Sequence, residues 1–252
     1  GGRLALLLAA MIWGSAFFVM KNAVDSIPTW MLLGIRFTMG AGVLALIFWK
    51  RLKLIRASTW ARGAALGVLL CAAYGVQTFG LMDTTPGKNA FLTTVYCILV
   101  PFLNWALLGR RPTVYNGLAA VLCLGGIGLV SLTEGFTVGR GDLLTLVSGV
   151  IYAAHMIALA RFSQGEDTAL LTLIQFMAAA LMAWLLSLAT ETPPESLPAG
   201  AVGELIYLGV FSTALALLMQ SVGQKSTPPA PAAILLSLES VFGVLFSVLF
   251  YG

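Results

Sequence analysis

Polar residues along this chain occur in short clusters between long apolar stretches, and there is no strict alternation of apolar and polar positions. Nine runs of mostly apolar residues stand out, at roughly 4–22, 28–49, 62–82, 87–108, 113–132, 141–162, 168–189, 199–221 and 230–251. About 20 such residues span a bilayer as a helix, so each run predicts a transmembrane helix. Continuous runs exclude a β-barrel, whose strands alternate. The breaks carry turn chemistry and are short: Asp25 to Pro28, Thr84 to Gly87, Gly165 to Thr168, Ser226 to Pro229. None is long enough to hold a soluble domain. No small-residue cleavage site follows the first run, so a cleaved signal peptide is not expected.

Composition sharpens this reading. Hydrophobic residues make up 59% of the chain and charged residues only 10%. A soluble domain of this length needs a charged shell that this sequence does not contain. The three cysteines, Cys71, Cys97 and Cys123, all fall inside apolar runs and read as small core residues. They do not form a disulfide or metal set. No cofactor or metal is expected, because no phosphate loop, nucleotide fingerprint, nucleophile elbow or ligand spacing is present. An enzyme is therefore not expected, and neither is ATP-driven transport by this chain alone.

The net charge of +4 is explained by topology, with no nucleic-acid partner implied. With the N-terminus in the cytoplasm, ten basic residues fall on the inner side, Arg110 and the cluster from Lys50 to Arg56 among them. Lys21, Lys88 and Arg140 fall on the outer side. That asymmetry follows the positive-inside rule. Asp25, Asp83, Glu134, Asp142, Glu191 and Glu195 fall outside.

The apolar pattern also repeats. Gln77–Gly109 answers Gln220–Gly252 at a constant offset of 143, which pairs Gln77 with Gln220, Thr84 with Thr227, Pro86 with Pro229 and Tyr96 with Glu239. At an offset of 139, Ile35-Arg36-Phe37 answers Ile174-Gln175-Phe176, and Trp13 answers Tyr152. Helices one to four thus pair with six to nine. The expected organisation is one five-helix unit at 1–133 and a second at 134–252 that shows four helices, its fifth missing. An odd number of helices per unit makes the second enter from the opposite face, an inverted repeat.

WGSAFFVMK (13–21), IRF (35–37), KNAFLTTVY…LVPFL (88–103) and APAAILLSLES (230–240) together resemble the EamA branch of the drug/metabolite transporter superfamily. Arg110 and Ser240 depart from the Glu and Pro that the family often carries there. The resemblance implies an all-α polytopic fold of ten helices in two inverted five-helix repeats, with a central cavity and alternating access. It also implies bacterial inner-membrane transport of small metabolites, often export of amino acids.

Ionisable groups buried in lipid are costly and mark function. Glu239 lies near mid-helix and reads as a proton- or cation-binding carboxylate, or as a structural hydrogen-bonding group. Arg36 would bind a substrate carboxylate, neutralise Glu239, or cap carbonyls at a helix break. His155 is the single histidine and shares a face with Tyr152; it reads as a pH-sensitive contact or an interhelical hydrogen bond. Gln77, Gln220, Gln175, Tyr74 and Tyr96 join the expected path, with Trp13 and Tyr152 as aromatic walls or ordinary packing. Pro86 and Pro229 read as stiff ends of paired gating helices. Lys88 and Asn89 open the fourth run, to attract anions or to let Lys88 snorkel to the interface. Three functions remain at this stage. They are a carrier of amino acids or related metabolites, a proton-coupled carrier of organic cations, and a non-transport protein such as a lipid scramblase. The expected partners are a small-molecule substrate, membrane lipid and a proton or other coupling ion.

Overall fold

A computed structural model describes residues 1–109, 111–133, 138–198 and 200–251. Arg110, Glu134 and Gly252, used above for charge bias and for the repeat, lie outside the described residues, as does the side chain of Cys123.

The described residues are helical and contain no strand. Among the described residues, eight segments are long and apolar enough to cross a membrane. The first four are Gly2–Val24 (α1), Thr29–Ile47 (α2), Ala57–Met82 (α3) and Pro86–Leu107. The second four are Arg140–Phe162 (α7), Thr168–Thr190 (α8), Ala201–Ser226 and Pro229–Phe246. The run at 113–132 corresponds to α6, Val114–Thr133, of which only a shorter apolar stretch is counted. The chain is a multi-pass helical membrane protein. Large apolar side chains such as Val114 and Leu188 stand 88% and 80% exposed, which suits contact with lipid and not with water.

Three runs expected as unbroken helices are interrupted. The fourth divides into α4 (Pro86–Thr93) and α5 (Tyr96–Leu108). The last divides into α11 (Pro229–Leu236) and α12 (Leu238–Tyr251). The interruptions fall at Thr94 and Ser237, 143 positions apart, and their chemistry is alike. Thr94 Oγ1 donates to Phe91 O at 2.6 Å and Ser237 Oγ donates to Ile234 O at 2.8 Å. A hydroxyl bonded back to its own helix competes with the backbone ladder and loosens it. Pro101, inside α5, withholds a further donor.

The eighth run is α9 (Ala201–Ile206), a π-helical stretch Tyr207–Leu215, and α10 (Ala216–Ser226). Within the π stretch Thr213 Oγ1 donates to Leu208 O at 2.7 Å, five residues back. Such widened turns recur at functional sites.

Close approaches set the packing. At Gly67 an added Cβ would lie 2.4 Å from Gln175 O, and at Gly63 2.6 Å from Ile174 Cβ, so α3 and α8 touch backbone to backbone. Gly14 brings α1 against α12, where an added Cβ would lie 2.8 Å from Glu239 O. Gly125, by contrast, has open space where a Cβ would stand. The helix α7 packs on α3, α4 and α5, and α1 packs on α10, α11 and α12.

Helix ends are satisfied locally and at a distance. Asp167 Oδ1 caps α8 by accepting from Ala169 N and Leu170 N. The N-terminus of α2, which has no cap of its own, receives Glu191 from the far end of α8. Trp30 N and Met31 N donate to its two carboxylate oxygens at 2.7 and 2.9 Å.

Candidate functional site: a polar cavity with both signs of charge

Parts of α1, α2, α3, α4, α5, α7, α10, α11, α12 and the π stretch surround one cavity, with at most about 670 Å³ of empty space, solvent at its mouth included. The lining includes Trp13, Arg36, Tyr74, Gln77, Asn89, Tyr96, Tyr152, Gln220 and Glu239, all singled out by the sequence. Leu81 comes from the close of α3 and Asn89 from the first turn of α4, on either side of the α3–α4 turn.

Arg36 is 3% exposed. Its Nε donates to Thr213 Oγ1 and its Nη2 to Ser212 Oγ, both at 3.2 Å. Nη1 lies 3.3 Å from Met20 Sδ. Its guanidinium carbon sits 5.0 Å from the centre of the Tyr74 ring. Among the described residues no carboxylate pairs with it, so the alternative in which Arg36 neutralises Glu239 is not what this conformation holds. Its partners are neutral hydroxyls, a thioether and a ring. The π stretch presents Ser212 and Thr213 together, and Trp13 Nε1 donates to Ser212 O at 2.9 Å.

Glu239 is 5% exposed and opens α12 just past the Ser237 interruption. Its Oε1 accepts from Tyr96 Oη at 2.9 Å. The two positions lie 143 residues apart in the chain, and they meet. No Lys or Arg pairs with Glu239 among the described residues.

A hydrogen-bonded wall runs between α3, α4 and α7. Tyr152 Oη donates to Gln77 Oε1 at 2.9 Å, and Gln77 Nε2 donates to Thr93 Oγ1 at 3.0 Å. Asn89 Nδ2 donates to Thr145 Oγ1 at 2.7 Å. The Tyr74 and Tyr152 rings meet edge to face, with centroids 5.6 Å apart. Gln220 lines the cavity and is 4% exposed.

Other expected residues lie elsewhere. His155 and Gln175 are not part of the lining. They are buried side by side, with His155 Nε2 3.1 Å from Gln175 Oε1. Lys88 neither snorkels nor stands free for an anion: it is 6% exposed, and its Nζ lies 2.9 Å from Asp142 Oδ2. Asp142 also accepts from Gly139 N and Thr84 Oγ1, which ties the α3–α4 turn to the start of α7. Pro86 and Pro229 take the first positions of α4 and α11. No group of three or more His, Cys, Asp or Glu able to hold a metal is found among the described residues.

Sequence reasoning missed Ser212, Thr213, Thr93 and Met20. Hydroxyls inside apolar runs usually bond their own backbone, and only the π stretch reveals which two face Arg36.

At the opposite end, basic residues converge on the α7–α8 turn. Glu166 pairs with Arg56 and Arg62 at 3.2 and 3.1 Å and accepts from Thr59 Oγ1 at 2.6 Å. Arg51 pairs with Asp167, and Lys225 Nζ donates to Glu166 O at 2.8 Å. Burial pushes the Glu166 carboxyl up, but hydrogen bonds from Thr59 and Ser58 and the charge and hydrogen bond of Arg56 outweigh it. The net effect holds the carboxyl below its ordinary value.

Apolar spans around a buried polar cavity define a helical membrane protein of the transporter class. The sequence profile of the EamA-like transporter family matches residues 1–132 and 139–252, and the chain belongs to that family. It is 29% identical to an uncharacterized transporter of Archaeoglobus fulgidus, over 97% of this chain and 76% of that one. It is 26% identical to the uncharacterized transporter YwfM of Bacillus subtilis, over 99% and 85% of the two chains. It is also 26% identical to the uncharacterized inner membrane transporter YedA of Escherichia coli K12, over 96% and 80%. A solved crystal structure shares the fold, with a TM-score of 0.81 at 17% identity over 100% of this chain and 88% of that one.

Proposed function

We propose that the chain is a secondary transporter whose cavity takes small zwitterionic metabolites, amino acids first among them. One observation carries this reading. Arg36 and Glu239 line the same buried cavity, and among the described residues neither is paired with the other or with another charge. A charge held in a low-dielectric site without a counter-charge is costly. A solute bearing a carboxylate and an ammonium supplies both missing partners, the carboxylate on Arg36 and the ammonium on Glu239. A proton on Glu239 takes the ammonium's place when the site is empty, which makes transport pH-dependent.

The movement is alternating access between two inverted five-helix units at 1–133 and 134–252. Support comes from the two separate profile matches, from the interruptions 143 residues apart, and from the like packing of α7 and α1. Helices α4 and α11 begin at Pro86 and Pro229 and act as the gating pair. Arg51, Arg56, Arg62 and Lys225 gathered at one end support a cytoplasmic N-terminus in a bacterial inner membrane. Export is the direction that the family resemblance favours.

Counterflow of amino acids into proteoliposomes tests the reading. Arg36→Gln should abolish uptake of carboxylate-bearing solutes, and Glu239→Gln should flatten its pH dependence. If no amino acid or amine moves at any pH with the unmodified protein, the reading fails. The rival is a proton-coupled carrier of quaternary amines, favoured by the Trp13, Tyr74 and Tyr152 rings beside Glu239. It predicts that Arg36→Gln speeds cation uptake, because Arg36 occupies the Tyr74 face.

A further inference from the structure

Among the described residues, six buried side-chain polar atoms have no hydrogen-bond partner, and four of them gather at one junction. They are His155 Nδ1, Gln175 Nε2, Ser221 Oγ and Gln224 Oε1. His155 and Gln175 touch each other. Gln224 Nε2 donates to Met156 O at 3.2 Å, next to His155 in the chain. Ser221 and Gln224, three positions apart, share a face of α10, which packs on both α7 and α8. None of the four residues is more than 2% exposed. A buried polar atom without a partner is costly, so a cluster of four marks a place served by water or by a solute.

The junction lies at the basic end. Lys225, adjacent to Gln224, donates to Glu166 O in the α7–α8 turn. The cavity extends the other way, toward Leu81 and Asn89. Met156 stands between the two: it lines the cavity, and its carbonyl holds Gln224.

The repeat explains the placement. Gln77, Thr78 and Leu81 all line the cavity. Their equivalents at an offset of 143 are Gln220, Ser221 and Gln224. Of these only Gln220 lines the cavity; the other two carry the partnerless oxygens Ser221 Oγ and Gln224 Oε1. Polar residues thus stand in the second copy where the first copy forms an open wall, but here they are shut away.

We infer that Ser221 and Gln224, packed at the junction of α7, α8 and α10, line the closed, basic-end half of the route for the same zwitterionic solute, a polar chamber that forms when that side opens. The inference rests on the transport reading above. It names the residues that become wetted when the other side opens.

Single cysteines test it, in a background whose three native cysteines are changed to alanine. Lys50→Cys marks the basic end and Asp25→Cys the opposite end. Gln77→Cys reports the open cavity, and Ser221→Cys and Gln224→Cys report the chamber. A membrane-impermeant maleimide is applied to spheroplasts and, separately, to inverted vesicles. The Ser221 and Gln224 variants should react only in the preparation that labels Lys50→Cys, and Gln77→Cys only in the one that labels Asp25→Cys. Two results would overturn the chamber: no reaction of either chamber variant in both preparations, or reaction only from the Asp25 side. If Gln77→Cys reacts as expected while the chamber variants do not, the chamber falls and the transport reading stands. If Gln77→Cys is inert in both preparations, the cavity itself is not a route and the transport reading falls.

Discussion

At the scale of single residues, the cavity is defined by what Arg36 and Glu239 lack. Both are buried, and both hydrogen-bond only to neutral groups. Tyr96 is the one hydrogen-bond donor to Glu239 among the described residues. Tyr96→Phe removes that donor, and a hydrogen bond to a charged group is worth about 1.5–3 kcal/mol. Transport by Tyr96→Phe should therefore fall without vanishing. Tyr96→Phe combined with Glu239→Gln should be no slower than Glu239→Gln alone, because the two residues act as one unit. Initial rates of the single and double variants in proteoliposomes check this; additive losses would show that the contact is unimportant. The identities of Glu239, Arg36 and Tyr96 were legible as buried polar groups in apolar runs. That Tyr96 and Glu239 touch was not, because a sequence offset of 143 says nothing about distance.

At the scale of elements, small residues decide how closely helices approach. Gly67→Ala places a Cβ where Gln175 O now stands 2.4 Å away, and a backbone atom cannot rotate aside. The substitution should destabilise the protein by about 1–3 kcal/mol, read as a lower unfolding midpoint in detergent. Gly125→Ala meets open space and should leave the midpoint unchanged. The helix interruptions at Thr94 and Ser237 were hidden in runs that read as continuous. Hydropathy reports that a segment is apolar, but it does not register a hydroxyl turning back on its own ladder. The cap that Glu191 supplies to α2 was equally hidden: a residue counted only as an outer acid satisfies donors some 160 positions away in sequence.

At the scale of the whole molecule, charge holds the basic end together. Glu166 joins the α2–α3 region to the α7–α8 turn through Arg56, Thr59 and Arg62. Its carboxyl is held below its ordinary value, so its stabilising contribution is present above the unfolded-state value of about 4.3 and is lost as pH falls through the folded value. Unfolding midpoints of the unmodified protein should drop on acidification below that range. Glu166→Gln should be less stable near neutral pH and should show a flatter acid limb. A steep acid limb in Glu166→Gln would assign it to other carboxylates.

The sequence by itself determined the class of fold, the breaks between most helices and the family resemblance, and it singled out nine residues that line the cavity, from α1, α2, α3, α4, α5, α7, α10 and α12. It could do so because the cost of exposing a polar group to lipid is paid residue by residue and is therefore written locally. Only the tertiary structure decided which polar groups meet. Lys88 went to Asp142, His155 to Gln175, and Arg36 to two hydroxyls that a widened helix turn brings forward. Those pairings depend on helix rotation and on close approach at glycines, which are properties of packed neighbours and not of any one run.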